Sequence, residues 1–165
     1  MGFVRFGPQG SGDVPRSRRH RRVLVADGDP WVRAGLEPFL SRRGFHVFFA
    51  SDGKAALRCL ALSTEVRREL GRIDVVIADV DLPHRSGIDI LMAARGNRWD
   101  VPVVLTGADV SPVLCDELIR LGAAAVLKKP LSLTRLEQAL SLVVEDHAPL
   151  RNVPCFGKDP QGGGA

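Results

Sequence analysis

Five short, continuous apolar runs recur along this chain, each followed by a stretch with apolar residues at helical spacing. That alternation constrains the fold more than any other feature. The runs are Val23-Leu24-Val25-Ala26, His46-Val47-Phe48-Phe49-Ala50, Asp74-Val75-Val76-Ile77-Ala78, Val101-Pro102-Val103-Val104-Leu105 and Ala124-Ala125-Val126-Leu127. Side chains of a strand point alternately to its two faces, so an uninterrupted apolar run predicts a strand buried on both. Between the runs, sets such as Val32, Leu36, Phe39 and Leu40, or Leu133, Leu136, Leu140 and Val143, repeat with the period of an amphipathic helix. Asp29-Pro30 and Ser111-Pro112 each put a capping side chain before a proline at a helix start. Gly44 and Gly122 stand where helices should end. Pro38 breaks the pattern, because inside the first helix it removes a hydrogen bond to the Ala34 carbonyl and predicts a kink. Five βα units in series predict an α/β fold: a doubly wound, five-stranded parallel sheet with right-handed connections and helices on both faces.

The segments outside these units differ in composition. Residues 1–21 are rich in Gly, Pro, Ser and Arg, and residues 148–165 run into Gly162-Gly163-Gly164, so both read as disordered or flexible tails around a domain at 22–147. The formal charge of +4 does not describe the domain: residues 1–22 hold six Arg and one Asp, a net +5, which leaves the rest at −1. A basic face for nucleic acid is therefore not expected on the folded part. No apolar run approaches the ~18 residues of a membrane span, and the Arg-rich start is not followed by a signal-peptide core. Cys59, Cys115 and Cys155 are odd in number and widely spaced, without CxxC metal spacing. These features together predict a cytoplasmic protein without a membrane partner.

In open parallel sheets, ligands bind in the crevice beyond the carboxyl ends of the strands. Here those ends carry Asp27-Gly28-Asp29 after the first strand, Asp79 with Asp81 after the third, Thr106-Gly107 after the fourth and Lys128-Lys129-Pro130 after the fifth. Acids, a hydroxyl and an amine thus converge on one rim. Phosphoryl chemistry needs a nucleophile, a hard cation and groups that bear the phosphoryl oxygens. Asp79 is the candidate nucleophile, Asp27 and Asp29 the candidate metal holders, and Thr106 and Lys129 the candidate oxygen binders. His84, Cys115 and Lys128 carry no such pattern and read as surface or packing residues.

Taken in order, these blocks resemble the receiver domain of two-component response regulators. The resemblance runs from about Val23 to Leu142. It rests on Val23 to Pro30 with Arg33, Ser51-Asp52-Gly53-Lys54-Ala55-Ala56-Leu57, Asp74 to Pro83 with Gly87, Pro102 to Thr106, and Gly122-Ala123 running to Lys129-Pro130. It implies a flavodoxin-like strand order of 2-1-3-4-5 and phosphorylation of Asp79 by a histidine kinase or phosphotransfer protein. It further implies Mg²⁺ bound by Asp79, by Asp27 and by the backbone carbonyl of Asp81, with Thr106 and Lys129 holding the phosphoryl oxygens and a cis Lys129-Pro130 bond. The output implied is a signalling contact with a downstream protein through the fourth helix, fifth strand and fifth helix, rather than enzymatic turnover. Whether the chain forms a homodimer stays open.

Three departures qualify the resemblance. The second acid of the first-strand pair is Gly28, and the aromatic switch position three residues before Lys129 is Val126. Loss of one carboxylate predicts weak Mg²⁺ binding, with Asp29 or Asp81 as substitutes. The run Leu62 to Arg72 lengthens the second helix or its loop by roughly two turns. Three readings follow: a stand-alone receiver phosphorylated on Asp79; a degenerate receiver that binds partners without phosphorylation; and, from Asp79-Val80-Asp81, a haloacid-dehalogenase-like phosphohydrolase, whose motif usually lies on the first strand. Nothing after His147 is long enough for a DNA-binding output domain, which favours an output through another protein.

Overall fold

The structure, a computed structural model, describes residues 21–65 and 71–145. Five βα units follow one another: β1 (Arg21–Ala26), α1 (Pro30–Arg42), β2 (Phe45–Ala50), α2 (Gly53–Glu65), β3 (Val75–Asp79), α3 (Gly87–Gly96), β4 (Val103–Gly107), α4 (Pro112–Arg120), β5 (Ala125–Lys128) and α5 (Leu133–Glu145). The strands form one sheet in the order β2-β1-β3-β4-β5, every neighbouring pair parallel. This is the doubly wound, flavodoxin-like arrangement expected from the alternation and the resemblance.

The apolar runs split between two cores with the period of a strand. Leu24, Ala26, Val76, Ala78, Val103, Leu105 and Val126 face one side, where α2, α3 and α4 supply Leu60, Ile90, Leu91 and Leu118. Val23, Val25, Val75, Ile77, Val104 and Leu127 face the other, where α1 and α5 supply Leu36, Leu40, Leu136 and Leu140. Each of these strand residues is at most 2% exposed. Two-sided burial is what made the runs continuous in the first place.

Local signals act where expected. Asp29 caps α1 by accepting from the Trp31 N–H, and Ser111 caps α4 by accepting from the Leu114 N–H. Gly44 and Gly122 follow the ends of α1 and α4 with φ of +80° and +99°, a conformation that costs other residues a steric clash. A capping box at α3, in which Ser86 and Asp89 satisfy each other's backbone N–H, is legible as Ser-x-x-Asp yet absent from the expectations above. Helix α1 runs unbroken through Pro38, which sits exposed, as does Ala34, so water can serve the carbonyl that the proline leaves without a donor.

Element bounds shift by a residue or two. β1 begins at Arg21, ahead of the apolar run, because main-chain pairing of Arg21 with Phe45 needs no apolar side chain. β4 begins after Pro102, which has no N–H for the ladder, although its carbonyl still accepts from the Val76 N–H at 2.9 Å. α2 extends to Glu65, and the remainder of the lengthened segment, residues 66–70, lies outside the described residues, as do residues 1–20 and 146–165. Among the described residues, no helix is long and apolar enough to cross a membrane.

Candidate functional site

Strand register assembles the rim. Asp79 is the last residue of β3 and pairs with Thr106 on β4, while Asp27 directly follows β1 and Lys129 directly follows β5. The four residues are separated by up to 102 positions in sequence. They nevertheless meet, because parallel neighbours deliver all their carboxyl ends to the same edge. Lys129 is oriented by its own backbone, whose N–H donates to the Gly107 carbonyl at 2.8 Å. Its peptide bond to Pro130 is cis, as the resemblance implied. Lys128 points to solvent, in keeping with its reading as the surface member of the pair.

The Lys129 ammonium lies between two acids, 2.8 Å from Asp27 Oδ2 and 2.7 Å from Asp79 Oδ2. Asp27 is 3% exposed and Asp79 9%, so this lysine supplies countercharge that water cannot. Burial by itself would lower the lysine pKa. Hydrogen bonds to Asp27 and Asp79, with the attraction of their charges, outweigh that effect and raise it above the ordinary 10.5. The other carboxylate oxygens are also engaged: Asp27 Oδ1 accepts from the Asp29 N–H at 2.8 Å, and Asp79 Oδ1 from the Asp81 N–H at 3.2 Å.

Two further residues hold this arrangement. The Arg33 guanidinium donates to the Asp27 carbonyl, tying the first turn of α1 to the end of β1. Gly87, the first residue of α3, packs against the backbone of Asp79 so closely that an added Cβ would fall 2.5 Å from the Asp79 carbonyl oxygen. Arg33 and Gly87 were legible only as parts of blocks in the sequence. Their contacts with the acids depend on tertiary packing.

The remaining expected residues behave differently. Thr106 is 1% exposed, and none of the acids nor Lys129 engages its hydroxyl. Asp29 and Asp81 are exposed, and Asp29 Oδ1 is committed to the cap of α1 at 2.8 Å from the Trp31 nitrogen. Val126 is 1% exposed and packed in the core under α4, a branched apolar residue in a closed slot. At Gly28 the backbone leaves room: an added Cβ would meet Pro83 Cδ at 3.4 Å, Pro83 Cγ at 3.7 Å and the Ser51 carbonyl at 3.9 Å, all ordinary contacts.

Magnesium demands several oxygen ligands in near-octahedral array. Among the described residues no group of three or more acidic, histidine or cysteine side chains is placed to hold a metal. The two buried acids form a pair whose four oxygens each already accept a hydrogen bond. The donor set therefore falls short of a Mg²⁺ site of the receiver kind by one carboxylate, the one that Gly28 lacks.

Comparison with known proteins agrees with the geometry. The family model described as "Response regulator receiver domain" matches residues 23–141. The transcriptional regulatory protein PdtaR of Mycobacterium tuberculosis is 33% identical over 125 residues, covering 75% of this chain and 57% of its own length. Response regulator RR06 of Streptococcus pneumoniae is 26% identical over 131 residues, with 79% of this chain and 56% of its own length covered. The chain thus spans a little over half the length of these relatives. Among solved structures, the receiver domain of the Francisella response regulator 1452 superposes with a TM-score of 0.66 at 26% identity, covering 76% of this chain and 97% of that one. Nothing in these matches supports the phosphohydrolase reading, and the Asp79-Val80-Asp81 motif begins on the third strand of the chain rather than the first.

Proposed function

Since the chain belongs to the response regulator receiver family, we propose that it accepts a phosphoryl group on Asp79 and signals through protein contacts. The observation that carries this reading is the placement of the Lys129 ammonium 2.7 Å from Asp79, on a rim that also holds Thr106. In the transfer, an Asp79 carboxylate oxygen forms a bond to phosphorus while the bond from phosphorus to its donor breaks, and the leaving group keeps the electron pair. Phosphorylation converts a singly charged carboxylate into a group carrying more negative charge and three more acceptor oxygens. Lys129 offsets that charge, and the Thr106 hydroxyl, free of the acids, donates to one of the new oxygens. Asp27 shares Lys129 with Asp79 and keeps the ammonium aimed at the reacting carboxylate. Mg²⁺ binding is weak in this chain, for want of a carboxylate at position 28.

The phosphoryl donor is a histidine kinase or phosphotransfer protein, and the output is a downstream protein that reads the surface of α4, β5 and α5. A homodimer through the same surface is compatible with this output. Two observations favour a second reading, a degenerate receiver that binds its partner unphosphorylated: the acids fall one short of the metal set, and Val126 is closed into the core. Intact mass spectrometry separates the two. With a small-molecule phosphodonor, with and without Mg²⁺, the proposal expects one acid-labile phosphoryl addition that is lost in Asp79→Ala. No addition under either condition would give the second reading the lead.

A further inference from the structure

Gly28 stands at the mouth of the crevice, next in sequence to the buried Asp27, and a Cβ there would meet Pro83 and the Ser51 carbonyl only at ordinary van der Waals distances. Its φ is not in the left-handed region that would demand a glycine, and a Cβ would make only contacts of 3.4 Å or longer. Neither the backbone conformation nor the packing therefore explains the residue. What it changes is charge. With Asp27 and Asp79 ionised and Lys129 protonated, the buried centre sums to −1, and one ammonium bridges both acids. A third carboxylate at position 28 would bring the centre to −2, which a divalent cation balances and a lysine alone cannot. As it stands, a divalent cation bound beside the ammonium would overshoot the charge, and one that took the ammonium's place would have to break its two hydrogen bonds of 2.7 and 2.8 Å.

We infer that this crevice is set by Gly28 to rest on Lys129 in place of a metal ion, and that it is a single side chain short of a divalent-cation site. Residue 28 is thus the position that decides cation dependence, and the defect is one of ligand charge in a scaffold otherwise ready to receive it. The inference rests on the reading of this rim as the receiver crevice. Its test uses the cation alone, so that it does not share an outcome with the phosphorylation experiment.

Trp31, 83% exposed and three residues beyond Gly28, gives the readout, with calorimetry as an independent one. The full chain is titrated with MgCl₂ alone. Gly28→Asp is expected to lower the Kd for Mg²⁺ at least about tenfold, since affinity follows the count of charged ligands, and Gly28→Ala to leave it unchanged. Lys129→Gln, in the native Gly28 background, is expected to tighten Mg²⁺ binding by removing the competing ammonium, which keeps the test decisive if Gly28→Asp does not fold. Equal Mg²⁺ affinity in the native chain and a folded Gly28→Asp, an equal gain in Gly28→Ala, or weaker binding in Lys129→Gln would each overturn the inference. If Gly28→Asp gains Mg²⁺ while neither protein takes a phosphoryl group, the inference stands and the proposed function fails.

Discussion

The crevice has a closed half and an open half, and they are built by different means. In the closed half, Asp79, Thr106 and Asp27 are each less than a tenth exposed, Lys129 bridges two acids, and Gly87 lies directly against the Asp79 backbone. In the open half, Gly28, Asp29 and Asp81 face solvent, and a Cβ can be added at position 28 without a clash. Position in the closed half is fixed by packing and by countercharge, so change there should be costly. In the open half only the first turn of α1, capped by Asp29, is fixed, and chemistry can vary with little structural consequence. The contrast explains how the chain keeps the receiver architecture while departing from the receiver's metal set.

The largest effect should come from removing the shared countercharge. Lys129→Met leaves Asp27 and Asp79 buried and facing each other, and losing one partner of a buried ion pair costs about 3–5 kcal/mol. Urea unfolding would measure it. Adding Asp27→Asn to that variant should recover part of the loss, and no recovery would mean that the two acids do not repel as the closed half requires. The same pair has a pH signature. The Lys129 pKa is raised by folding, so its contribution is full below the unfolded value near 10.5 and is lost as pH rises through the higher folded value. Alkaline destabilisation should therefore be shallower in Lys129→Met than in the native chain, and identical alkaline profiles would count against the clamp.

Gly87→Ala sharpens the comparison from the packing side. Its Cβ would stand 2.5 Å from the Asp79 carbonyl oxygen and 3.1 Å from Leu105 Cδ2, so either β3 or α3 must move. A loss of about 1–3 kcal/mol is expected, in the range for overpacked interiors. The smallest effect belongs to the open half. Gly28→Ala should change stability by less than about 1 kcal/mol, with a gain the more natural sign because alanine restricts the unfolded chain. A large loss at position 28 together with a small one at position 87 would invert the assignment of the two halves.

Much of this could be read before the fold was known. The continuous apolar runs foretold two-sided burial, and the Asp29-Pro30 and Ser111-Pro112 caps and the terminal glycines marked helices that formed where expected. Asp27, Asp79, Thr106 and Lys129 were legible because strand ends in a parallel sheet share one edge. Less legible were details that depend on backbone pairing, such as the start of β1 at Arg21 and of β4 after Pro102, since the ladder is indifferent to most side chains.

The sequence by itself determined the order of elements, their two-sided burial and the inventory of groups at the rim. These follow from local periodicity and from the one edge at which parallel strands end. Only the tertiary structure decided that Lys129 spans both acids, that Gly87 is pressed against Asp79, and that Gly28 is not. Those facts turn on how separate elements pack against one another, β5 across the ends of β1 and β3, and α3 against β3. A contact that forbids a side chain and one that tolerates a Cβ leave the same letter, glycine, in the sequence, and only the packed fold tells them apart.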